Sequence, residues 1–254
     1  MKHSAINRTC AVLVLILAAS SVWATAYQER DEINRSFTLP AKTHVEVSAL
    51  SGSLDIKAID GDMAIVQIER TGRSRAELDC NKVVLEQAAG NLAIQSKTVG
   101  GPGCQNIQVV HRVQLSLPRY VDLSVNGVSG PVNIGEIDGA LRISGNTGPI
   151  NLARSGRNSI ISGNMGTTTI KLQQLDARGL NLSGHMGDIK LLIADDSNVV
   201  VRVSGFSGSV SSELPNMKFH KTGAADYAAR IGFGGPTIHV DGSQGSISLI
   251  PYRE

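Results

Sequence analysis

The chain has 254 residues, of which 27 are glycines and 4% are aromatic, and its formal net charge is +2. So few aromatic side chains argue against a compact enzyme, which usually carries aromatic bulk in its core and pocket. The first 26 residues hold two of the 24 basic residues and no acidic ones, so the remainder is neutral, with 22 of each sign. No basic tract remains that could follow a phosphate backbone, which argues against a nucleic-acid partner.

Residues 1–26 are predicted to be a signal peptide. Lys2 and Arg8 form its positive start, an apolar run covers 11–19, and small residues precede the expected cut at Tyr27. The apolar run is shorter than the roughly 18 to 20 residues that span a bilayer. The alternative is an uncleaved N-terminal anchor. We therefore expect an exported protein, periplasmic in the first instance, with the cell surface or secretion as other destinations and no transmembrane segment after cleavage.

Residues 27–44 are polar and charged, and they are predicted to cap a repeat domain at 45–254. Between 57 and 118 the chain still alternates like strands but has no regular turn, which indicates irregular coils or a small insertion. Cys80 and Cys104 lie in this segment, and an even pair in an exported protein predicts one disulfide. Two free, buried thiols are the alternative.

A ten-residue pattern recurs through the repeat domain, with apolar residues alternating with polar ones such as Asp55, Asn133 and Asn151. This alternation predicts strands with one buried face. Counted from the apolar residue that starts each copy, glycine stands two residues later in six of seven copies and five residues later in all seven. The second set is Gly52, Gly130, Gly148, Gly166, Gly187, Gly208 and Gly245. Glycine permits a tight left-handed corner and lets the next copy stack closely on it.

The copies starting at Val125, Ile143, Ile161, Leu182 and Val203 follow at intervals of 18, 18, 21 and 21 residues. Such a period is typical of one coil of a solenoid. We therefore predict an all-β, single-domain, parallel β-helix-like solenoid with 18–21-residue coils. The longer interval between Val203 and Val240 has room for one degenerate coil around 223–235. An antiparallel meander folded into a sandwich is the alternative.

Several stretches together resemble a bacterial family of candidate adhesins built from β-strand repeats and related to the head GIN domain. They are SFTLP with VEVSALSGSLDI, VQLSLPRYVDLSVNGVSGPVNI, the SGxxG copies and IGFGGPTIHVDGSQGSISL, and they cover residues 37–250. The resemblance implies a right-handed parallel β-helix-like fold and an extracytoplasmic location. That family has no established catalytic residues to transfer to this chain.

No catalytic, metal or cofactor site is predicted, because the phosphate-loop, nucleophile-elbow, zinc-protease and dinucleotide motifs are all absent. A carbohydrate-active β-helix enzyme is an alternative, with clustered carboxylates on one face. Its candidate residues are Asp188, Asp195 and Asp196, with His185 and Lys190 nearby in the chain. The competing interpretation of 195–198 is a polar turn.

The two residues between the paired glycines fall at the same corner of every predicted coil. Stacked coils would align Val128, Met165, His185, Met186 and Phe206 as an exposed row for a partner. Local packing over the sheet edges is the alternative. We expect a non-catalytic protein with a structural, adhesin-like or protein-interaction role in the cell envelope, its partner an envelope protein or a surface glycan. An envelope-stress signalling accessory is a further alternative, and the oligomeric state is open.

Overall fold

The alternating stretches form strands throughout a computed structural model that describes residues 29–154, 156–172, 175–194, 196–215 and 217–253. The predicted signal peptide lies outside the described residues. The elements are β1 (Glu29–Thr38), β2 (His44–Ser48), β3 (Gly52–Ile59), β4 (Met63–Gly72), α1 (Arg75–Cys80), β5 (Asn81–Ala88), β6 (Asn91–Thr98), β7 (Val110–Pro118), β8 (Asp122–Asn126), β9 (Val132–Ile134), β10 (Ala140–Ser144), β11 (Ile150–Leu152), β12 (Arg157–Ser162), β13 (Thr168–Leu172), β14 (Leu180–Ser183), β15 (Ile189–Ala194), β16 (Val199–Ser204), β17 (Ser207–Ser212), β18 (His220–Lys221), β19 (Tyr227–Ile231), β20 (Thr237–Asp241) and β21 (Gln244–Tyr252).

The strands form two sheets around one apolar core. Sheet A has the order β1-β4-β7-β3-β9-β11-β13-β15-β21-β17, and sheet B has the order β18-β19-β16-β20-β14-β12-β10-β8-β2-β6-β5. From β7 to β17 in sheet A, and from β16 to β6 in sheet B, all neighbouring strands are parallel. The predicted β-solenoid is therefore confirmed, and the antiparallel meander is wrong for the central strands.

Each layer of the stack contributes one strand to each sheet. In spatial order the layers, numbered 1 to 8, are β6/β7, β2/β3, β8/β9, β10/β11, β12/β13, β14/β15, β20/β21 and β16/β17. The spatial order differs from the chain order at both ends, because β2/β3 inserts between β6/β7 and β8/β9, and β20/β21 inserts before β16/β17. The first and last copies of the repeat are thus paired on both sides.

Two kinds of glycine shape the corner between the strands of a layer. The first glycine of the motif is left-handed, with φ near +60° in all six copies, and Ala49 adopts φ +57° at the same place in the first copy. The second glycine faces the layer below, where an added Cβ would overlap a backbone carbonyl oxygen. Backbone hydrogen bonds also link the corners, as from Thr147 N to Val128 O at 3.1 Å and from Met165 N to Asn146 O at 3.0 Å. The corner therefore continues the ladder of both sheets.

The N-terminal end of the stack is built from antiparallel strands. β1 pairs with β4 and β4 with β7 at the edge of sheet A, and β5 pairs with β6 at the edge of sheet B. This describes the irregular segment at 57–118: only β6 and β7 form a layer, and the other strands flank it. Cys80, at the end of α1, forms a disulfide with Cys104 in the loop before β7, with a Cα–Cα distance of 5.4 Å.

The C-terminal end is also antiparallel, since β19 pairs with β16 and β18 pairs with β19. The degenerate coil expected around 223–235 is therefore wrong, because this segment adds strands to the edge of sheet B instead of forming a layer. Leu214, Met217 and Phe219 pack against the core just before β18. No helix in the described part of the chain has the length and apolar character needed to cross a membrane.

Candidate binding surface on the outer face of sheet A

The corner residues do not form the exposed row that the repeat predicts. Val128, His185 and Phe206 are buried, so the prediction is wrong for these three residues. After the left-handed glycine the first side chain turns into the core, and only the second faces solvent. Met165 and Met186, both at the second position, are 50% and 56% exposed in adjacent layers. A partner site at these two methionines stays a prediction.

The inward corner position carries polar side chains in layers 4 to 7: Asn146, Asn164, His185 and Ser243. Asn146 Oδ1 accepts from Val128 N at 2.8 Å, and Asn164 Nδ2 donates to Thr168 Oγ1 at 2.9 Å. His185 Nε2 lies 3.1 Å from Ile161 O. These hydrogen bonds fix the backbone and side chains of the corner, so the buried polar row is a structural feature of the stack.

Two buried histidines have pKa values below that of a free histidine. Burial lowers the pKa of His185, and the hydrogen bond to Ile161 O opposes that effect only partly. Burial also lowers the pKa of His111, which lies 3.1 Å from Ser51 O and 3.0 Å from Asn81 Oδ1. Both side chains are therefore held in the neutral form, and neither reaches a solvent-filled site.

The carboxylates expected of a carbohydrate-active enzyme do not converge. Asp188 precedes β15, where its Oδ1 accepts from Ser246 Oγ at 2.6 Å, and Asp196 follows the other end of that strand. A six-residue strand places the two about 20 Å apart. Asp195 lies outside the described residues. Within the described ranges, no group of three or more His, Cys, Asp or Glu side chains is arranged to hold a metal ion.

A continuous polar row crosses the outer face of sheet A. Each of its ten strands contributes one outward side chain in direct register with its neighbours. In order they are Asn34, Gln67, Gln114, Asp55, Asn133, Asn151, Thr169, Lys190, Ser248 and Ser211. At about 4.8 Å per strand the row is about 43 Å long. It offers amide, carboxylate, hydroxyl and ammonium groups to an extended ligand.

A shallow groove of about 380 Å³ lies beside the middle of this row, over layers 2 to 6. Its floor includes Gly135 and Ala153, which are small residues between the long side chains of Lys57 and Lys171. The depression exists because two neighbouring layers place small residues where the flanking layers place lysines. The lysines stand three strand spacings apart, about 14 Å.

The polar wall of the groove is ordered by contacts within the row. Asn151 Nδ2 donates to Asn133 Oδ1 at 2.9 Å, which leaves one oxygen and one amide group at the ends of this pair for a ligand. Asp55 and Thr169 continue the wall on either side. Lys171 Nζ lies 4.8 Å from the centre of the Tyr252 ring, so that cation is positioned at the groove's end.

A second depression on this face has charged groups that already pair with one another. It lies over β1, β4 and β7, has a volume of about 270 Å³ and is lined by four charged residues beside three side chains of the polar row. Arg30 pairs with Glu69 at 3.0 Å and with Glu32 at 2.7 Å, and Arg112 lies 3.8 Å from Glu69. These groups neutralise one another, so the central groove is the better candidate for a ligand site.

The sequence carries a signal for this surface in the outward position of the repeat. Asp55, Asn133 and Asn151 hold the same place in successive copies, between the two inward apolar residues. A repeat position that stays polar and able to hydrogen-bond through many copies predicts a row on the outer face. The small residues Gly135 and Ala153 two places later mark the groove, but only the register shows that they are neighbours.

The Toastrack DUF4097 family model matches residues 24–249. The chain belongs to this family. The match confirms the family resemblance seen in the repeat motifs. No curated protein matches the chain.

Two of the solved structures that align with most of this Toastrack chain come from Clostridium sporogenes and Bacteroides fragilis. A candidate cell adhesion protein from Clostridium sporogenes is 13% identical, with a TM-score of 0.47, and the match covers 88% of this chain and 100% of that one. A candidate adhesin from Bacteroides fragilis is 11% identical, with a TM-score of 0.31 and coverage of 87% and 97%. Identities this low give no basis for transferring a function from either protein.

Proposed function

We propose that this chain is a non-catalytic, adhesin-like protein of the cell envelope that binds a glycan chain on the outer face of sheet A. The observation that carries the proposal is the groove beside the polar row, where hydrogen-bonding side chains and a small-residue floor meet on one rigid surface. Export to the envelope is part of the proposal and is supported by the predicted signal peptide at residues 1–26.

A glycan suits this surface for three reasons. Sugar hydroxyls both donate and accept hydrogen bonds, as do the side chains of Asn133, Asn151 and Thr169. The apolar face of a sugar ring can lie against Gly135 and Ala153. The ladder of both sheets fixes the wall before binding, so little conformational entropy is lost when a ligand binds.

The charges favour an acidic glycan. Lys57 and Lys171 flank the groove, and Asp55 is its one acidic lining residue. A uronic acid carboxylate can pair with either lysine at the ends of the groove. We therefore expect a polyuronate to bind more tightly than a neutral glucan, and the difference to shrink as salt is raised.

The proposal is tested by retention of the purified protein on immobilised alginate and on immobilised dextran. Ala153→Leu fills the groove floor, and Ala140→Leu is its matched control in the same layer on the outer face of sheet B. We expect alginate to retain the protein more strongly than dextran. Ala153→Leu should weaken retention about tenfold, because the leucine side chain fills the space that a sugar ring would occupy. A tenfold loss of affinity corresponds to about 1.4 kcal/mol. Ala140→Leu should bind normally.

Equal retention of the two variants on alginate would contradict the groove as the site. Retention of neither the natural protein nor its variants on alginate, dextran or purified cell-wall sacculi would contradict glycan binding itself. Both variants are first checked by thermal unfolding, and a melting temperature close to that of the natural protein shows that the stack is intact.

A second candidate function is capture of an envelope protein, such as a stress-signalling partner, by the exposed Met165 and Met186. Their side chains project from adjacent layers of the corner, and methionine surfaces adapt to varied partners. In-cell crosslinking of the natural protein and of a Met165→Glu/Met186→Glu variant tests this. A partner lost only with the variant supports it, and identical capture by both contradicts it.

A further inference from the structure

Phe233 is the most exposed large apolar residue of the described chain, at 89%. It lies in the turn between β19 and β20, at the C-terminal end of sheet B. A phenylalanine side chain on a water-facing turn gains nothing from its surroundings, since burying it would be worth about 1.5 to 3 kcal/mol. The position therefore needs a reason other than packing within this chain.

The turn holds Phe233 in place rather than leaving it loose. Gly232 and Gly234 on either side are left-handed, with φ of +58° and +79°. The N–H of Phe233 donates to Asn198 Oδ1 at 2.8 Å, and its carbonyl oxygen accepts from the guanidinium of Arg230. Both backbone polar groups of the residue are thus anchored, and the ring projects from a fixed base.

The surface beside the ring is basic. Arg202, Ala228 and His220 are in register on adjacent strands, with His239 on the other side of Arg202. The small Ala228 between longer neighbours leaves a groove of about 420 Å³, whose lining holds Arg202, Arg230 and His220 and no acidic residue. Within the described residues, neither Arg202 nor Arg230 forms an ion pair.

We propose that this face docks on an anionic lipid bilayer, with Phe233 inserted at the level of the headgroups and Arg202 and Arg230 on their phosphates. An apolar ring beside unpaired cations is the combination that peripheral membrane contacts use, because the ring enters the interface while the cations stay at the charged surface. A guanidinium also matches a phosphate with two parallel hydrogen bonds. The cations and the ring face the same side of sheet B.

A second copy of the chain is a poorer occupant for the same surface. A two-fold contact would bring Arg202 and Arg230 of each copy against those of the other, and like charges facing each other across an interface oppose association. A bilayer carrying anionic headgroups complements the charge instead. The docking face is distinct from the groove on sheet A, so the protein could hold a glycan while bound to a membrane.

The test is cosedimentation of the protein, in the form its host cells produce, with two kinds of vesicle. One is phosphatidylcholine alone, and the other contains about one third phosphatidylglycerol. Any contribution of the N-terminal apolar segment is the same in natural and variant proteins, so the comparison between them isolates the face. We expect Phe233→Ser to weaken binding to the anionic vesicles about tenfold and Arg202→Gln to weaken it about threefold.

Each variant has a matched control. Tyr120→Ser removes another exposed aromatic ring, 59% exposed, from the far end of the stack. Arg142→Gln removes an exposed arginine from the same face of sheet B, three strands away from β20. Both controls should bind like the natural protein, as should Ala153→Leu, which separates this proposal from the glycan groove.

Three results would overturn the proposal. One is equal binding of Phe233→Ser and the natural protein, and another is equal binding of the natural protein to the two vesicle types. The third is a change of oligomeric state in Phe233→Ser, measured by analytical ultracentrifugation, with vesicle binding unaltered, which would assign the face to a second copy.

Discussion

The middle of the stack and its two ends are built by different means. Layers 3 to 6 follow one another in chain order, use one corner and pair only parallel strands. At the ends the strands turn antiparallel, and the N-terminal end adds a short helix and a disulfide. A repeat can therefore propagate a stack but cannot terminate it, because each added layer exposes a fresh edge and a fresh cross-section of core.

The cores of the two regions also differ. In the middle, identical apolar positions stack from layer to layer, as with Leu123 on Leu141. At the N-terminal end an ion pair is added to the apolar core: Arg70 pairs with Asp31 and donates to Leu78 O at 3.0 Å. The hydrogen bond that Arg70 donates to Asp31 lowers the pKa of the Asp31 carboxyl. Polar contacts that occur once in the chain help to stabilise the N-terminal end, while the middle is stabilised by side chains that recur in every layer.

The largest effect on the middle of the stack is expected from substituting one of the two glycines of a corner. Gly148→Ala should destabilise the fold by about 4 kcal/mol, because its Cβ would overlap the carbonyl oxygen of Gly130 in the next layer. Gly145→Ala should cost only about 1 to 2 kcal/mol, since its Cβ would lie 4.0 Å from Gly127 N, an ordinary contact, and the cost is that of a left-handed conformation that Ala49 already adopts. Urea unfolding of the two variants checks the difference, and equal losses would contradict the distinction between the glycines.

The N-terminal end is tested by removing its disulfide. Cys80→Ala with Cys104→Ala opens a link between residues 24 apart, and we expect a loss of about 3 kcal/mol. The loss should concentrate at this end, so amide hydrogen exchange should accelerate in β5, β6 and α1 and remain slow in layers 4 to 6. Uniform acceleration throughout the stack would show that the ends and the middle do not open separately.

The smallest expected effect is the pH dependence of stability, which tests the contribution of the corner residue His185. Because burial lowers the pKa of His185 in the folded state, the unfolded chain takes up a proton first as the pH falls below about 6.5. Stability contributed by the neutral side chain is therefore complete above that pH and is lost below it, by about 1.4 kcal/mol for each unit by which the folded and unfolded pKa values differ. His111 should behave in the same sense.

His185→Asn is the matched variant, since Asn146 and Asn164 hold the same corner position in neighbouring layers. Urea unfolding at pH 7.5 and pH 5.5, values chosen about one unit either side of the unperturbed histidine pKa, should show a smaller difference in the variant than in the natural protein. An unchanged difference would mean that His185 does not contribute to the acid sensitivity.

The regular layers were predictable because each copy of the repeat contains the residues that determine its strands and its corner. Val125 and Ile143, with their glycines, are enough to place a strand, a corner and an inward face. Even the breaks in the pattern are resolved locally: Ser159 Oγ donates to Gly156 O at 3.0 Å, and Thr168 accepts from Asn164. Short-range periodicity within each copy carries this information.

The order of layers and the direction of the corner side chains could not be read from the same pattern. Nothing in the copies starting at Val47 and Val240 indicates that they insert inside the stack, because strand pairing over long distances depends on the competing edges. The inward turn of Phe206 depends on the backbone after the left-handed Gly205, not on the residue's polarity. The candidate groove depends on strand register, which brings Gly135 beside Ala153 and places Lys57 of layer 2 next to them.

The most direct test of the proposed glycan binding at the groove is a nuclear magnetic resonance titration of the isotope-labelled protein with alginate oligosaccharides. The side-chain amides of Asn133 and Asn151 report on the wall, and the Lys57 and Lys171 signals report on its two ends. We predict that shifts concentrate at these residues and leave the outer face of sheet B unchanged. Shifts centred on sheet B or on Met165 and Met186, or no shifts at all, would contradict the account.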